Sequence, residues 1–295
     1  MPEFEPVEVS HTLELDFPKD LEENARRQGE DPDKVCDLMQ QFKDLIYERG
    51  ECNPHRMDEE FLIKFLRARF WKVENAYKLL CRYCKFREDN FHWIDKVKPL
   101  SLESLGEENI MTTTPYRDQT GKRMLIYRFG NWKPKKMTAD EIFKATLIVL
   151  EIGIMEPRAQ VNGGVGIFDL EGLGLNHTVH MSPSIAQKMI AIMTNALPYR
   201  TTAIHIVNQG WIFDVVFAFF KPFLNNRMRS GLYIHGTNYK SLHKHIDPNH
   251  LPKRYGGKMD DFSYKPWIEH CKSNERVIRE LELHGYDVSE FQEEE

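Results

Sequence analysis

Cysteine is scarce in this chain. Its 295 residues include five cysteines, an odd number, scattered along the sequence. This pattern argues against a disulfide framework, which needs cysteines in pairs, and we expect reduced thiols. Cys81 and Cys84 form one C-x-x-C, but no second pair completes a set of four zinc ligands. We therefore expect these two residues to pack within a helix, and we expect neither a metal nor another cofactor.

The common catalytic motifs are also missing. The sequence contains no G-x-S-x-G elbow, no G-x-x-x-x-G-K-[ST] phosphate loop and no H-E-x-x-H zinc motif, so each absence removes one reaction class. The glycine-rich run 163–166 precedes a predicted strand, whereas a dinucleotide loop follows one and opens a helix. We interpret this run as a turn, and we predict that the chain is not an enzyme and has no catalytic residues.

Three polar groups allow a catalytic or metal-binding interpretation as well as a structural one. His177 and His180 are interpreted as partners of backbone groups, and Asp169 and Glu171 at a strand end as capping or ion-pairing groups rather than an acid pair. The third group contains three histidines and an aspartate: His243, His245, His250 and Asp247. These residues can gather a metal, but a polar, solvated turn is the favoured interpretation.

The chain has no excess of positive charge and no apolar N-terminal segment. Its formal net charge is -5 and its pI is about 6.2, so its long-range field repels polyanions and we expect no nucleic acid partner. The first ten residues carry acidic residues and prolines instead of a basic segment followed by an apolar one. We therefore expect no ordinary secretory signal and a cytoplasmic location.

Helical patterns fill the first hundred residues. Asp31 and Pro32 suit an N-cap and a first helical position, and Asp58 begins a second helix with its apolar side chains on one stripe. A third helix is predicted over 73–86. We predict an all-helical N-terminal module over residues 1–98, which ends at a linker around Pro99.

Short β-rich runs alternate with helical patterns from about residue 112. The predicted strands are 124–129, 165–170, 203–207 and 232–235, and the predicted helices between them are 138–156, 182–197 and 211–228. Helices of this length cross over a sheet and make neighbouring strands parallel. The predicted fold class is α/β, with a β/α domain over 99–262 that has a mixed, mainly parallel sheet, followed by a helical, acidic tail over 263–295.

Residues 211–220 form the most informative segment, because large apolar side chains fall on nearly every side of a helix there. The segment is shorter than the roughly 20 apolar residues that span a bilayer, so it is either an ordinary core helix or a cover over something oily. Pro222 breaks the helical hydrogen-bond pattern and offers such a cover a place to bend. The residues assigned to this gate helix are Trp211, Ile212, Val215, Val216, Phe219 and Phe223.

Three arginines flank the apolar segment. Arg227 and Arg229 follow it directly, and Arg200 precedes the strand that leads into it. Each cation near an anionic leaflet contributes about 1 kcal/mol, so a few on one face hold a protein at a membrane reversibly. Solvated surface arginines are the competing interpretation. Apolar and cationic groups together favour a chain that is reversibly peripheral on membranes.

Several motifs occur together and in order in one known family. They are FLIKFLRAR (61–69), VENAY (73–77), VGIFDLEG (165–172), AIHIVN (203–208), KPFL (221–224), HG (235–236), NY (238–239) and LPKRYGG (251–257). On these motifs the chain resembles the CRAL-TRIO lipid-binding family, in the branch of alpha-tocopherol transfer protein and cellular retinaldehyde-binding protein. The resemblance covers about residues 56–261.

The resemblance implies a hydrophobic pocket for one lipid beneath a mobile gate of roughly residues 210–231. Carried over position by position, it implies these lining residues: Phe143, Leu147, Phe168, Ile192, Met193, Ile204, Phe220 and Leu224. Met189 is added because it shares the apolar face of the predicted helix 182–197. Leu150 is also assigned to the pocket, where this chain differs from the tocopherol protein, which has a small hydroxyl residue at that position. A second difference is Gly164, which replaces a branched aliphatic residue. The identity of the lipid therefore does not transfer.

A phosphoinositide-headgroup site is also implied by the resemblance. It maps onto Arg69, Arg200 and Arg227, and Arg229 is assigned beside it. Thr202 and Gly231 stand where the tocopherol protein has basic residues. We therefore expect headgroup binding that is weaker or differently selective.

Together these patterns predict an intracellular carrier that binds one hydrophobic lipid, similar to a tocopherol, a retinoid or another isoprenoid. Its expected partners are this lipid and a membrane surface with anionic phosphoinositides, and the chain is expected to be a monomer. Two other classes stay open, namely an enzyme that acts on a lipid and a non-transporting adaptor that senses membranes or phosphoinositides.

Overall fold

The structure is a computed structural model that describes residues 7–194 and 196–291, except for the side chains of Leu102, Thr194 and Arg227. No helix among the described residues combines the length and the apolar character needed to cross a membrane.

Helices make up the N-terminal part. They are α1 (Glu22–Arg27), α2 (Val35–Arg49), α3 (Glu59–Ala68) and α4 (Val73–Asp89). Asp58 caps α3, because its carboxylate accepts the N–H of Phe61 at 3.0 Å. The start of α2 at Val35 corrects the predicted start at Asp31. The Asp31 carboxylate instead accepts the N–H of Asp33 and pairs with Lys34 in a separate turn.

A five-stranded sheet follows, with its strands side by side in chain order. They are β1 (Met111–Arg117), β2 (Arg123–Arg128), β3 (Gly164–Asp169), β4 (Thr201–Val207) and β5 (Leu232–Ile234). β1 is antiparallel to β2, and the other neighbours are parallel, which confirms the predicted mixed, mainly parallel sheet. The prediction missed β1, since three threonines and Pro115 obscure its alternation. Proline is tolerated there because β1 is an edge strand.

Helices connect these strands and cover the sheet. They are α5 (Ser104–Glu107), α6 (Ala139–Gly153), α7 (Pro157–Asn162), α8 (Leu175–Thr178), α9 (Pro183–Thr194), α10 (Phe213–Phe220), α11 (Asn226–Ser230) and α12 (Tyr239–Leu242). Thr138 and Glu141 form a capping box at the start of α6. The single helix predicted over 211–228 is wrong. A 3-10 turn at Lys221–Phe223, which contains Pro222, separates α10 from α11.

Two further helices, α13 (Lys265–Ser273) and α14 (Glu275–Leu283), end the described chain together with a 3-10 turn at Ser289–Phe291. α14 is fixed to the N-terminal helices by buried charges. Arg56 donates to Glu280 at 2.8 Å, and Lys64 and His284 also contact this carboxylate. Burial alone would raise the pKa of Glu280, but the hydrogen bond from His284 and the charge of Lys64 hold it well below its ordinary value. These contacts cross the domain boundaries at 98 and 262, which stay predictions.

The sheet separates two apolar cores, because successive side chains of a strand point to opposite faces. Met124, Ile126, Val165 and Ile167 point to one face, where they pack against the segment around Tyr255. The other face meets α6 and α9, in the core that includes Tyr127, Phe168, Ile204 and Ile206. This second face carries the candidate site.

The charge cluster around Glu280 generates a first prediction. Glu280→Ala leaves Lys64 buried without its counter-charge and Arg56 paired with Asp58 alone, so we expect the free energy of unfolding to fall by about 3–5 kcal/mol. Urea denaturation at neutral pH measures this value. The matched control is Asp260→Ala, which removes a carboxylate from an exposed pair with Lys253 and should change stability by less than about 1 kcal/mol. Equal effects of the two substitutions would contradict the structural role of the cluster.

Candidate functional site

Three parallel strands supply the floor of a cavity. Phe168 on β3, Ile204 and Ile206 on β4 and Leu232 on β5 lie on one face of the sheet. Ile204 pairs with Leu232 in register, so their side chains are neighbours across the strands. The period of two along each strand therefore builds a continuous apolar surface from residues far apart in the chain.

The roof of the cavity is α10, and α9 forms its side wall. Phe213, Val216, Phe217 and Phe220 point inward from α10, and the rings of Phe213 and Phe217 stack with centroids 5.1 Å apart. The 16 described residues that line it are all apolar. The space free of protein atoms is about 680 Å³, a figure that includes open solvent. The volume open to a water-sized guest is about 80 Å³, so a larger guest requires the cavity to expand.

A second cavity of about 450 Å³ adjoins the first. The two share Phe129 and three methionines: Met181, Met189 and Met193. Methionine side chains are unbranched and adaptable, so this shared wall adjusts to its contents more easily than branched residues would. The second cavity extends the first toward α6 and ends at Phe143 and Ile192.

The predicted pocket residues fall into three groups. The cavity under α10 includes Phe168, Met189, Met193, Ile204, Phe220 and Leu224. The adjoining cavity includes Phe143, Ile192, Met189 and Met193. Leu147 and Leu150 line neither cavity and are buried elsewhere in the core. Among the predicted gate residues, Val216 lines the cavity, Ile212 is buried, and Phe219 and Phe223 are half-buried outside its lining.

Sequence reasoning missed nine lining residues, which are Phe129, Leu170, Leu173, Met181, Ile190, Ile206, Phe213, Phe217 and Leu232. Two signals were available for some of them. Strand alternation places Ile206 on the same face as Ile204, and helical spacing places Phe213 and Phe217 on the same face as Phe220. Phe129 and Met181 lie outside the regular strands and helices, where no period applies.

Four exposed apolar side chains lie close in sequence to residues that line this site. Trp211 is 76% exposed and Val215 49%, on the outward side of the segment that carries α10. Leu175 and Val179, which follow the lining residue Leu173, are 62% and 77% exposed. We call these four residues the apolar rim. Large apolar groups exposed together on a protein surface mark contact with another apolar phase or partner.

A polar cleft lies on the other side of the cavity wall. It has about 1150 Å³ of free space, includes Arg69, Arg200 and Thr202, and shares Met193 and Ile204 with the cavity under α10. The same two side chains thus separate a polar compartment from an apolar one.

The arginines predicted for a headgroup occupy different surroundings. Arg200 is buried, stacks over Phe70 at 4.5 Å, donates to Gln28 Oε1 at 2.6 Å, and also donates to the carbonyl of Val161. Arg69 donates to the carbonyl of Ala68 at 2.9 Å. Arg229 is exposed and donates to the carbonyl of Leu224 at 3.1 Å. The side chain of Arg227 lies outside the described residues.

The polar groups near the cavity have structural partners. His177 accepts the N–H of Gly174 at 3.0 Å and lies 2.9 Å from the carbonyl of Trp132, so it bonds backbone groups as predicted. Asp169 accepts the N–H of Glu171 at 3.0 Å and an N–H of Asn208 at 2.8 Å. This is the capping role expected for Asp169.

Comparison with known proteins places this architecture in a family. The CRAL/TRIO domain model matches residues 107–257, which is half of the chain, and the CRAL/TRIO N-terminal domain model matches residues 37–82. The chain belongs to the CRAL/TRIO family.

Relatives of this CRAL/TRIO chain share about a third of its residues. Alpha-tocopherol transfer protein-like of Mus musculus is 32% identical over 250 residues, which cover 84% of this chain and 73% of that protein. Clavesin-1 of Rattus norvegicus is 30% identical over 261 residues, which cover 86% and 73%. The crystal structure of Sfh5 covers 85% of this chain and 91% of its own with a TM-score of 0.54. At 17% identity, that likeness shows the fold alone.

Gly164, one of the expected departures inside the pocket of this CRAL/TRIO chain, is absent from the lining of both cavities. Its missing side chain makes room for Tyr199, whose hydroxyl oxygen lies 1.6 Å from the position that a Cβ at residue 164 would occupy. Gly164 therefore allows an aromatic ring to pack directly on β3.

This close approach generates a second prediction. Gly164→Ala forces Tyr199 or β3 to shift, so we expect a loss of about 1–3 kcal/mol in the free energy of unfolding. In a Tyr199→Ala background the same substitution should cost less, because the clashing ring is gone, and a double-mutant cycle by urea denaturation measures the coupling. Gly153→Ala is the matched control, since nothing lies within 4 Å of its Cβ position. Additive effects at residues 164 and 199 would contradict the proposed clash.

Proposed function

We propose that this chain carries one hydrophobic lipid in the cavity under α10 and exchanges it at membrane surfaces. The observation that carries the proposal is the cavity under α10, whose lining is apolar throughout the part of the chain that the structure describes. Removing a hydrocarbon from a bilayer costs about 0.8 kcal/mol per CH₂, so a carrier offsets this cost by surrounding its cargo with apolar side chains. A tocopherol, a retinoid or another isoprenoid-like molecule fits this chemistry.

Release requires the roof to move, and α10 is suited to such a motion. Gly210 precedes it with no atom within 4 Å of its Cβ position, and the turn with Pro222 follows it. Together these breaks allow α10 to rotate as a short rigid piece while β4 and β5 stay paired. In this proposal, Trp211 and Val215 enter the lipid phase first, because they already point outward.

Exchange takes place with the apolar rim against a membrane. Leu175 and Val179 lie beyond Leu173, and Trp211 and Val215 lie beside Phe213, so both pairs adjoin lining residues. A lipid that leaves the cavity past these side chains passes from one apolar environment to another. We therefore place the chain in the cytoplasm as a monomer that is reversibly peripheral on membranes.

Membranes with anionic phosphoinositides are the proposed acceptors. The polar cleft with Arg69 and Arg200 shares Met193 and Ile204 with the lipid cavity, so a headgroup in the cleft and a lipid in the cavity would contact the same two side chains. A headgroup would compete with Gln28 for Arg200. Arg227 and Arg229 lie on α11, next to the cleft residues Asn225 and Ser230.

The same lining supports a non-enzymatic role. Among the described residues, the 16 side chains around the cavity under α10 include no nucleophile, acid or base. A lipid held against these 16 side chains would contact hydrocarbon, aromatic and thioether groups. Catalysis of acyl transfer, hydrolysis or proton abstraction requires at least one such polar group within reach of the reacting atom.

Native mass spectrometry of the purified chain tests the proposal against the adaptor alternative. A carrier retains one lipid per chain and exchanges it for an offered lipid. An adaptor that only senses membranes or phosphoinositides binds vesicles with its cavity empty. An empty cavity that takes up no offered lipid would refute carriage, and chemical conversion of a bound lipid would refute the non-enzymatic role.

A third prediction separates the two faces of α10. Phe220→Asp places a charge in the apolar cavity, so we expect the retained lipid per chain to fall at least tenfold. Val215→Asp places the same charge on the exposed face and should leave occupancy unchanged while slowing transfer between vesicles. Native mass spectrometry measures occupancy and a fluorescence dequenching assay measures transfer. Equal lipid retention in the two variants would contradict the assignment of α10 as the roof.

A fourth prediction concerns the cleft. Thr202→Lys adds a cation where the cleft has a hydroxyl, and one cation near anionic lipid contributes about 1 kcal/mol. We therefore expect about fivefold tighter binding to vesicles that contain a phosphoinositide, measured by vesicle sedimentation. Lys258→Thr removes an exposed cation from a segment outside the cleft and should change binding less than twofold. Unchanged affinity of the Thr202→Lys chain would show that the cleft does not meet the headgroup.

A further inference from the structure

A cluster of three histidines lies behind the last two strands of the sheet. His205 Nδ1 is 3.0 Å from His235 Nε2, and His235 Nδ1 is 2.9 Å from Ser241 Oγ. The ring of His245 lies 5.3 Å from that of His205 and 5.7 Å from that of His235. Tyr233 completes the cluster, with its ring 4.0 Å from that of His245. None of these groups takes part in the proposed carrier function.

The cluster and the cavity share the same pair of strands. Ile204 and Ile206 on β4 point into the cavity, so His205 between them points to the opposite face. On β5, Leu232 lines the cavity and the next residue, Tyr233, pairs in register with His205. β5 has only three residues and is an edge strand that directly follows α11. A structural change on the histidine side of β4 and β5 therefore affects both the cavity floor and α11.

Among the residues that the structure describes, no carboxylate forms an ion pair with this cluster. None of the salt bridges among the described residues involves these three histidines. Asp247, the carboxylate nearest to them in sequence, accepts the N–H of Asn249 at 2.8 Å. The charged residues on α12 and in the turn after it are exposed lysines, Lys240 and Lys244. A proton on one imidazole would therefore meet other imidazoles, the Tyr233 and Ser241 hydroxyls and lysines.

Burial makes protonation of these imidazoles still less favourable. His205 is 1% exposed and His235 6%, whereas His245 is exposed. Burial, followed by the charges of His235 and His245, lowers the pKa of His205 to about 3. Burial and the charge of His245 also lower the pKa of His235. Both imidazoles are thus neutral in the folded protein at a pH where free histidine begins to take up protons.

We propose that acidification opens the β4–β5 edge and thereby releases the bound lipid. The histidine cluster is the sensor, because protonation places uncompensated like charges between two short paired strands. β5 then separates from β4, the floor around Leu232 loses its support, and the cavity opens at the end where α11 joins it. This regulation rests on the proposed carrier function, but the opening itself is a property of the protein without lipid.

The direction follows from linkage. A histidine whose pKa is lowered in the folded state binds more protons when its strand opens, so acid favours the open form. For His205, with a pKa of about 3 when closed and about 6.5 when open, the opening equilibrium rises about tenfold between pH 7.5 and pH 5.5. His235 adds to this increase in the same direction.

Hydrogen–deuterium exchange of the full chain without added lipid tests the switch. The amide of His235 donates to the Ile206 carbonyl at 2.9 Å, and the amide of Ile204 donates to the Gly231 carbonyl at 2.8 Å, so both report β4–β5 pairing. After correction for the intrinsic rate, we expect their protection to fall at least tenfold between pH 7.5 and pH 5.5. The amide of Leu170, which donates to the Val207 carbonyl across β3 and β4, should change less than threefold.

Variants assign the effect to the cluster. His205→Gln with His235→Gln removes both buried protonation sites and should abolish the acid-dependent loss of protection. His245→Gln changes an exposed residue that folding tolerates more easily, and it should reduce the loss by less than the double substitution does. His92→Gln, at an exposed histidine in the helical module, should behave like the parent chain. Unchanged protection of the parent chain at pH 5.5, or a loss in the His205→Gln, His235→Gln chain equal to that of the parent chain, would overturn the proposal.

A second measurement separates this proposal from the carrier function. Native mass spectrometry at both pH values records the lipid retained by the parent chain. Lipid bound equally at both pH values would refute acid release, even if the strand edge opens. If no lipid is bound at either pH, carriage fails, and the exchange of the β4–β5 amides still decides whether the edge responds to acid.

Discussion

The packing of α10 against the floor formed by β3, β4 and β5 is the contact on which the rest of the site depends. It joins the apolar side chains of one short helix to those of three strands, and the described residues around the space between them are all apolar. Neither α10 nor the apolar face of the strands is stable in contact with water. A helix that is apolar on nearly all sides must be buried or must meet another apolar phase. In the proposed carrier, the same property that closes the cavity would also favour opening at a membrane.

Neighbouring side chains of the same helix or strand point in different directions, so one element serves both the cavity and the surface outside it. On α10, Val216 and Phe220 point inward while Val215 remains exposed, so adjacent positions serve the cavity and the outside. On β4, Ile204 and Ile206 line the cavity while His205 lies behind it among other histidines. The periods of 3.6 and 2 residues are the physical basis for both arrangements. Substitutions one residue apart can therefore affect different processes.

Much of the fold was predictable from the sequence, because its signals are local. Asp58 caps a helix, Thr138 and Glu141 form a capping box, and the buried parallel strands are short apolar runs between helical patterns. The break at Pro222 was visible as a possible bend, but the separation of α10 and α11 was not predicted, since Asn225 caps α11 through a local geometry that periodicity does not encode. Similarly, Leu147 and Leu150 lie on α6 and are buried, as expected of pocket residues. The direction in which their side chains point depends on how α6 packs, and sequence does not show this.

The site itself was less predictable, because it is assembled from distant segments. Phe129 and Met181 reach the cavity from outside the regular elements, and only the tertiary fold brings them together. Arg200 shows the same limit for charge. Sequence places it near the apolar segment, whereas the fold buries it between Phe70 and Gln28. An arginine held in this way is pre-organised beside the cleft, but a headgroup must displace the Gln28 amide to bind it. In the proposed headgroup site, recognition by Arg200 would therefore be an exchange of hydrogen bonds, and its selectivity would depend on whether the incoming anion bonds Arg200 better than Gln28 does.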